Sequence, residues 1–417
     1  MVRRTTPRRR HAARAASMAA ASLVVALLVV AGPTATESSA TPAASGASAA
    51  TETGTAPAAP GADAPSYLRR DTEAVHRAGA VGVLADLRDG DRRARARAGV
   101  AELGTDRPVA WHSSIRIGSA TKAFTATVVL QLVGEGRVSL DDTVERWLPG
   151  LVTGNGNDGR AITIRHLLQH TSGLPTVSDL PGWENAKEFE KHRYDAHDPR
   201  YVVKLAMRHR PSSAPGTRWE YSNTNYILAG LVVQAVTGRS WDQEVTSRII
   251  VPLELTGTFV PGHRPYLPLP HPRTYYQFAE GEPWFDTTVL NMKDADAEGS
   301  IVSTTKDLGR FHTALIGGKL LKRAQLAEMM KTVPVPEFTQ WGMRYGLGLM
   351  WFDLSCGGGY WTHWGDTLGA STRGGITPDG KRGIVVSTSG NGDHLKIPME
   401  DDALHPLVDH ALCRGLS

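Results

Sequence analysis

A helix that is apolar on almost every side most constrains what this chain can fold into. The segment SATKAFTATVVLQLV runs from Ser119 to Val133, and Lys122 is its only charged residue. Such a helix is stable only when other elements surround it, so the sequence predicts that it lies inside a large core. An isolated ammonium in that place is costly unless it has a partner or a role. Lys122 is therefore a candidate functional residue.

Strand patterns stand at both ends of the folded region, with helical patterns between them. The first two strand patterns flank Asp89-Gly90, a dipeptide typical of hairpin turns. Helical patterns cover 67–78, 120–133, 163–169 and 224–237, and strand patterns return at 345–353, 360–364, 371–376 and 383–387. This order predicts an α+β fold, an α/β sandwich in which an antiparallel sheet built from both chain ends is covered by helices. A mainly helical subdomain is inserted between the two ends.

The first 65 residues have the composition of a targeting segment followed by a tether. An Arg-rich stretch precedes an apolar run at 18–31, which is shorter than the roughly 20 residues that span a bilayer. Ser38-Ser39-Ala40 fits a cleavage site, so we predict a secretory signal peptide over 1–40 and export from the cytoplasm. A retained membrane anchor is the alternative. The Ala/Thr/Ser/Gly/Pro-rich residues 41–65 predict a flexible linker, and 66–417 the folded domain.

The net charge of +4 does not indicate a nucleic-acid partner. Residues 1–40 hold six arginines and one acid, Glu37, and the rest of the chain has 40 basic and 41 acidic side chains. Because the basic excess lies in the targeting segment, electrostatics gives no reason to expect a polyanionic partner.

The chain has two cysteines, Cys356 and Cys413, too few for an iron–sulfur protein or a cysteine-rich zinc scaffold. Export would place both in an oxidising compartment, so we predict a disulfide between them, with two buried free thiols as the alternative. The sequence predicts no cofactor and no metal site. His405, Asp409 and His410 are expected on a solvated helix face.

Ser119 and Lys122 have the spacing of a nucleophile and its amine. Residues three apart share a helix face, and Ser119 stands at the helix N-terminus, where unpaired N–H groups favour a developing oxyanion. We expect burial to leave Lys122 partly neutral near pH 7, which suits proton transfer. A capping serine is the alternative. Ser-x-x-Lys occurs again at Ser303 and Lys306, where we predict an ordinary N-cap.

Two further motifs carry polar groups at the ends of elements. Tyr221-x-Asn223 precedes an apolar helix, and His363-Trp364-Gly365 follows a strand pattern. A tyrosine beside an ammonium can act as a base, and an asparagine can hold a substrate amide. The alternatives are a buried tyrosine, a turn asparagine and a histidine at a sheet edge.

Taken in chain order, Ser119-x-x-Lys122, Tyr221-x-Asn223 and His363-x-Gly365 resemble the three motifs of the penicillin-recognising serine enzymes. The variant is similar to serine D-alanyl-D-alanine carboxypeptidases and the class C β-lactamase group. Supporting stretches are 115–119, 167–175, 215–216 and 299–304. The resemblance implies an exported serine hydrolase that forms an acyl-enzyme on a small-molecule or peptide substrate, such as a cell-wall peptide, an ester or a β-lactam.

The resemblance also implies a role for each motif residue. Ser119 is the nucleophile, and Lys122 and Tyr221 share the proton transfer. Asn223 orients the acyl group, and the oxyanion is held by the N–H groups of Ser119 and Asp366. The remaining substrate-binding positions are His363, Trp364 and Gly365.

The sequence departs from the carboxypeptidase pattern where the substrate's terminal carboxylate is held. Met350 replaces an arginine, and Trp364 and Asp366 replace hydroxyl side chains. We therefore expect a preference for esters, amides or amine-bearing ligands. Alternatively, Asp366 points away, and Arg344 or Arg373 supplies the missing cation.

The same scaffold would also serve an esterase, a D-amino-acid amidase or aminopeptidase, or a β-lactamase. A non-catalytic penicillin-binding module is a further alternative, although such a module would not need Ser119, Lys122 and Tyr221 together.

Overall fold

The computed structural model describes residues 64–177, 179–391 and 403–416. The predicted signal peptide, its apolar run and nearly all of the predicted linker lie outside the described residues. Within the described part of the chain, no helix is both long enough and apolar enough to cross a membrane.

Twelve α-helices and fifteen strands are present in the described ranges. The helices are α1 Ser66–Arg77, α2 Thr121–Gly134, α3 Val144–Trp147, α4 Ile164–Leu168, α5 Ala186–His192, α6 Pro199–Ala206, α7 Asn223–Thr237, α8 Trp241–Val245, α9 Asp296–Gly299, α10 Thr305–Ile316, α11 Arg323–Met329 and α12 Leu404–Arg414. The strands are β1 Gly82–Asp89, β2 Arg92–Gly99, β3 Ile115–Arg116, β4 Thr153–Gly154, β5 Asn157–Asp158, β6 Tyr275–Tyr276, β7 Phe285–Asp286, β8 Val302–Ser303, β9 Val333–Pro334, β10 Arg344–Tyr345, β11 Met350–Asp353, β12 Gly359–Thr362, β13 Gly365–Thr367, β14 Ala370–Ile376 and β15 Arg382–Ser389. A 3₁₀ turn at Gly118–Ala120 leads into α2, a π-helical turn at Thr246–Ile250 follows α8, and a second 3₁₀ segment spans Pro336–Trp341.

The main sheet joins the two ends of the folded region, as the strand pattern predicted. In the described residues it has nine strands in the order β2-β1-β15-β14-β12-β11-β10-β9, and β13 pairs with β14. Strand β1 runs antiparallel to β15, with Gly82 opposite Ser389 and Asp89 opposite Arg382. The α+β fold with an antiparallel sheet from both chain ends is confirmed.

Helices cover both faces of this sheet. Along β15, Ile384 and Val386 pack into one hydrophobic cluster together with α1 and α12, whereas Val385 packs into the other with Phe311 of α10. This alternation follows from the two-residue period of a strand. The sheet is therefore the middle layer of a sandwich.

The inserted helical part surrounds α2, as its composition predicted. Eleven of the 14 residues of α2 are buried, and α7 is buried over most of its length beside it. Both helices contribute to the same cluster, which holds Phe124, Ile227 and Phe311. This packing fixes the N-terminal end of α2, where Ser119 lies.

The two cysteines form the predicted disulfide. Cys356, in the turn between β11 and β12, is bonded to Cys413 near the end of α12. The disulfide joins the C-terminal helix to the sheet. The same hairpin contains Gly357 and Gly358, both with positive φ, as a tight turn requires.

Candidate active site

Ser119 lies in the short turn between β3 and α2, and two glycines allow the sheet edge to approach it. A Cβ atom on Gly118 would lie 2.8 Å from the backbone nitrogen of Asp366, and one on Gly365 would lie 1.8 Å from the Ile117 carbonyl oxygen. Only residues without a side chain permit this approach. The backbone of Asp366 is thereby held beside the Ser119 turn, where the predicted oxyanion donors belong.

Lys122 is completely buried beneath Ser119. Its Nζ donates to Ser119 Oγ at 2.9 Å, to the Glu298 carbonyl oxygen at 2.9 Å and to Glu298 Oε2 at 2.6 Å. An ammonium has three N–H donors, so the three acceptors satisfy it completely. The structure therefore brings Ser119 and Lys122 together as predicted, and it adds a carboxylate that the motifs did not indicate.

The Glu298 carboxylate reverses one expectation about Lys122. Burial by itself lowers the pKa of this lysine, but the adjacent Glu298 and the nearby Tyr221 raise it, and the net pKa lies above the ordinary lysine value. The expectation that burial leaves Lys122 partly neutral near pH 7 is therefore wrong. The reason is that a buried amine with an anionic partner behaves differently from one without a partner.

Tyr221 completes the polar cluster. Its hydroxyl is within hydrogen-bonding reach of both Ser119 and Lys122, and the Lys122 Nζ lies 5.0 Å from the centre of its ring. Burial raises the pKa of Tyr221, and Lys122 only partly opposes this effect. Tyr221 is therefore protonated in the resting site and can donate a hydrogen bond as well as relay a proton.

His170 packs against the ring of Tyr221, a contact that the motifs did not indicate. Its ring centre lies 4.4 Å from that of Tyr221, and its Nδ1 accepts from the Ser222 backbone N–H at 3.2 Å and the Asn225 side-chain amide at 3.1 Å. Burial and the Lys122 charge lower the pKa of His170 well below its ordinary value, so its ring is neutral. His170 lies in the stretch 167–175 that carried the family resemblance, but nothing in the stretch identified this contact.

Asn223 lies on the wall of the cavity that opens at Ser119. Its backbone N–H donates to Thr176 Oγ1 at 3.3 Å, at the start of α7. Its side-chain Oδ1 is buried and has no hydrogen-bond partner among the described residues. Such an acceptor suits an N–H donor of a ligand.

His363 and Trp364 face the protein interior rather than the cavity. His363 Nε2 lies 2.9 Å from the Tyr345 hydroxyl and its Nδ1 2.7 Å from the Trp364 carbonyl oxygen. Burial and the Lys122 charge lower the pKa of His363 to about 3. Trp364 stacks on Phe352 with ring centres 4.4 Å apart. A direct substrate contact by either residue stays a prediction that this geometry does not support, because both side chains have protein partners.

Asp366 reaches the cavity wall, and it does not lack a counterion. Its carboxylate forms a two-point ion pair with Arg373 on the neighbouring strand, at 2.9 and 3.1 Å. Arg344, the other cation considered, pairs with Asp353 instead. A carboxylate at position 366 would repel the terminal carboxylate of a substrate if the acid were unpaired. Arg373 compensates much of that charge, and the guanidinium of Arg373 is itself directed to the Asp366 carboxylate.

The cavity beside Ser119 has a volume of about 540 Å³ and is both acidic and apolar. Its described lining includes five acids, Glu184, Asp195, Asp294, Glu298 and Asp366, together with Arg193, His192 and His197. His192 lies 2.7 Å from Asp195 and His197 lies 2.8 Å from Asp294, while Glu298 pairs with Lys122 and Asp366 with Arg373. The apolar lining is Val177, Leu180, Trp183, Phe189, Ile227, Leu290, Met292 and Leu368. A ligand in this cavity would meet carboxylate groups on one part and an apolar wall on another.

The second Ser-x-x-Lys copy is structural, as predicted, although Thr304 rather than Ser303 is the cap. Thr304 Oγ1 accepts from the Asp307 backbone N–H at 3.1 Å, and Ser303 is buried in β8. Lys306 is exposed.

The C-terminal helix differs from its predicted solvated face. Asp409 is buried and accepts from the Ser355 backbone N–H at 2.8 Å, and His410 lies 2.8 Å from Asp71. His405 stacks on Trp341. These polar groups face neighbouring elements because α12 packs along the sheet.

Comparisons with known proteins point to one family and one fold. The sequence profile of the Beta-lactamase family matches residues 64–405. Penicillin-binding protein 4* of Bacillus subtilis (strain 168) is 30% identical over 239 residues, 54% of this chain and 50% of that protein. A solved D-stereospecific amidohydrolase from Streptomyces sp. is 39% identical, with a TM-score of 0.75, and the match covers 84% of this chain and 98% of that chain. The D-amino acid amidase of Ochrobactrum anthropi SV3, solved in complex with L-phenylalanine amide, is 26% identical, with a TM-score of 0.72, and the match covers 83% and 96%.

The chain spans about half the length of the curated relative from Bacillus subtilis. The family profile, by contrast, spans most of this chain and includes the Ser119 turn, the Tyr221 loop and the Gly365 edge. This chain is a serine hydrolase of the β-lactamase and penicillin-binding protein superfamily, and it belongs to the Beta-lactamase family.

Proposed function

We propose that this protein is an exported amidohydrolase that cleaves amides and esters of D-amino acids carrying an amino group and an apolar side chain. The observation that carries the proposal is the cavity at Ser119, which combines an acidic lining with an apolar wall. An ammonium is favoured by the acids, and an apolar side chain is favoured by the wall.

The proposed reaction proceeds through an acyl-enzyme. Ser119 Oγ bonds to the substrate carbonyl carbon, and its proton leaves through the Lys122–Tyr221 cluster to the departing amine or alcohol. Backbone N–H groups of Ser119 and Asp366 hold the oxyanion, and each such donor contributes roughly 3 kcal/mol in comparable enzymes. Water then hydrolyses the ester on Ser119 and releases the acid.

The charges around the cavity argue against a plain carboxypeptidase. A substrate that ends in a carboxylate needs a cation, and Met350 occupies the position of the family's arginine. Arg373 is turned to Asp366, and Arg344 to Asp353. Arg193 is the permanent cation in the described lining, and its guanidinium lies over the Phe189 ring at 5.0 Å.

The D configuration is taken from the similar solved structures. One is a D-stereospecific amidohydrolase and the other a D-amino acid amidase, and the match covers nearly the whole of each. An acyl group held by Asn223 Oδ1, the acids and the apolar wall has three points of contact, which is enough to distinguish enantiomers.

A substrate panel tests the proposal. We expect the highest kcat/KM for D-phenylalanine amide, with lower values for its L enantiomer, for the N-acetylated D-amide and for a D-Ala-D-Ala peptide. The Ser119→Ala variant is the control and should hydrolyse none of them. A preference for the D-Ala-D-Ala peptide would instead support a carboxypeptidase, and hydrolysis only of nitrocefin would support a β-lactamase.

Export is part of the proposal and rests on the first 40 residues. Their Arg-rich start, apolar run and small-residue site favour cleavage after Ala40. N-terminal sequencing of protein from the culture medium should begin near residue 41. Recovery of the intact Met1 end in the cytosol would contradict this.

A further inference from the structure

Glu298 lies outside the three motifs, yet two of its oxygens contact Lys122. We propose that Glu298 is a positioning residue whose carboxylate and carbonyl oxygen fix the Lys122 ammonium against Ser119, and whose charge sets the pH at which Ser119 becomes reactive. The inference rests on the proposed role of Ser119 as the nucleophile.

Glu298 accepts two of the three hydrogen bonds that Lys122 donates. The side-chain contact is 2.6 Å and the main-chain contact 2.9 Å, and the third bond, to Ser119 Oγ, is 2.9 Å. The short helix α9 holds Glu298 in place, because the neighbouring Ala297 carbonyl accepts from Thr125 Oγ1 of α2 at 2.6 Å. Lys122 therefore has little freedom to move away from Ser119.

Glu298 is the anion that faces Lys122 within the described part of the chain. The other groups around Lys122 are uncharged in the resting site. His170 and His363 are neutral because burial and the Lys122 charge lower their pKa values. Burial raises the pKa values of the tyrosines nearby, which are Tyr221, Tyr226 and Tyr345.

The other acids close to this cluster have counterions of their own. Asp296, also on α9, pairs with Lys293 at 2.8 Å, and Asp366 across the cavity mouth pairs with Arg373. Helix α2 itself carries no charged residue besides Lys122. Among the described charged groups, Glu298 is therefore the one that most opposes the effect of burial on Lys122.

A lysine held as an ammonium cannot accept the proton of Ser119. Acylation must draw on either a neutral Lys122 or an ionised Tyr221. The Glu298 charge raises the pKa of both groups. Removing that charge should therefore make Ser119 reactive at lower pH, whichever group is the base.

The rate of Ser119 labelling by a fluorophosphonate, measured against pH, tests the inference. This probe carries no ionisable group, so the pH dependence belongs to the enzyme. Glu298→Gln is an isosteric change. The acidic limb of its plot of labelling rate against pH should move to lower pH by roughly one to three units, which is the range of pKa shift that an opposite charge in contact causes. Glu298→Asp retains the charge, so its limb should stay near that of the parent protein while labelling slows.

Asp296→Asn is the matched control, because it removes a lysine-paired carboxylate from the same helix without touching Lys122. Its acidic limb should match that of the parent protein. An unshifted limb in Glu298→Gln, or equal shifts in Glu298→Gln and Asp296→Asn, would overturn the inference and leave the proposed function intact. Parent protein that is not labelled at Ser119 would overturn both.

Discussion

Arg373 on β14 and Asp366 on β13 form a two-point ion pair at the mouth of the cavity, with Nη1 2.9 Å from Oδ1 and Nη2 3.1 Å from Oδ2. The arginine side chain is 4% exposed and the aspartate 43%, so the acid shields the cation from the cavity. The pair neutralises both charges on the wall of the cavity that opens at Ser119. Its removal should therefore change substrate preference.

Asp366→Asn should improve activity on substrates with a terminal carboxylate. The change keeps the size and backbone of residue 366 but removes the negative charge that pairs with Arg373. We expect the ratio of kcat/KM for a D-Ala-D-Ala peptide to that for a D-amino acid amide to rise by roughly tenfold, which corresponds to about 1.4 kcal/mol. Asp353→Asn is a suitable control because it removes the partner of Arg344 instead. An unchanged ratio would show that Arg373 does not reach a bound carboxylate.

Ser119→Ala should abolish covalent labelling, whereas Ser303→Ala should retain it. Ser303 is buried in β8, and its hydroxyl lies 2.8 Å from that of Thr258, so its loss should cost about 1 kcal/mol of stability and little activity. Peptide mapping after reaction with a fluorophosphonate locates the adduct. An adduct that persists in Ser119→Ala would refute Ser119 as the nucleophile.

Lys122→Arg should lose nearly all acylation. A guanidinium stays charged at any accessible pH. Its N–H donors are spread over three nitrogens in one plane, whereas this site places three hydrogen-bond acceptors around the single Lys122 Nζ. Burst kinetics with an activated ester would measure the loss. The thermal midpoint of the variant separates a local effect from unfolding. Acylation within about tenfold of the parent rate would be incompatible with the proton-transfer role of Lys122.

Removal of the Cys356–Cys413 disulfide should lower stability without removing the active site. The bond closes a segment with a sequence separation of 57, for which chain entropy gives roughly 4 kcal/mol. Guanidinium unfolding of Cys356→Ser/Cys413→Ser, with and without reductant for the parent protein, measures the difference. Thiol titration of the denatured, unreduced protein should detect no thiol, and two thiols would contradict the bond.

His312 should make the fold sensitive to acid. Burial lowers its pKa to about 4, and neither ring nitrogen has a hydrogen-bond partner among the described residues. In the unfolded chain this histidine is protonated below about pH 6.5, whereas in the folded chain it stays neutral down to about pH 4. The free energy of unfolding therefore falls as the pH falls through this window. In His312→Phe, the slope of the free energy of unfolding against pH should be smaller by about 1.4 kcal/mol per pH unit in this window. Unfolding midpoints between pH 7 and pH 4 would measure it, and parallel slopes would rule the mechanism out.

The strand predicted over 345–353 is not continuous in the structure. The chain instead forms β10 and β11 with a tight turn between them. A Cβ atom on Gly346 would lie 2.2 Å from the Met329 carbonyl oxygen, and Gly348 has a φ of 78°. Most of the apolar residues of this stretch are buried, as the pattern predicts. The bend follows from the close contact with Met329 of another element, which the pattern does not contain.

Local chemistry determined a large part of this protein from sequence alone. The apolar circumference of α2 required a buried helix, the Asp89-Gly90 turn required a hairpin, and the spacing of Ser119 and Lys122 placed both on one helix face. These features depend on residues near one another in the chain, so their periods and turn preferences are readable without the fold.

The tertiary structure alone decided which charges meet. Glu298 lies 176 residues from Lys122 in the chain yet 2.6 Å from it in space, and this contact reverses the expected protonation of the lysine. Likewise, Arg373 is known to pair with Asp366 only once β13 lies beside β14. A sequence pattern shows which side of an element is buried, but it does not name the neighbour there. Because electrostatic effects depend on distance in space, the charge states of this site follow from the fold.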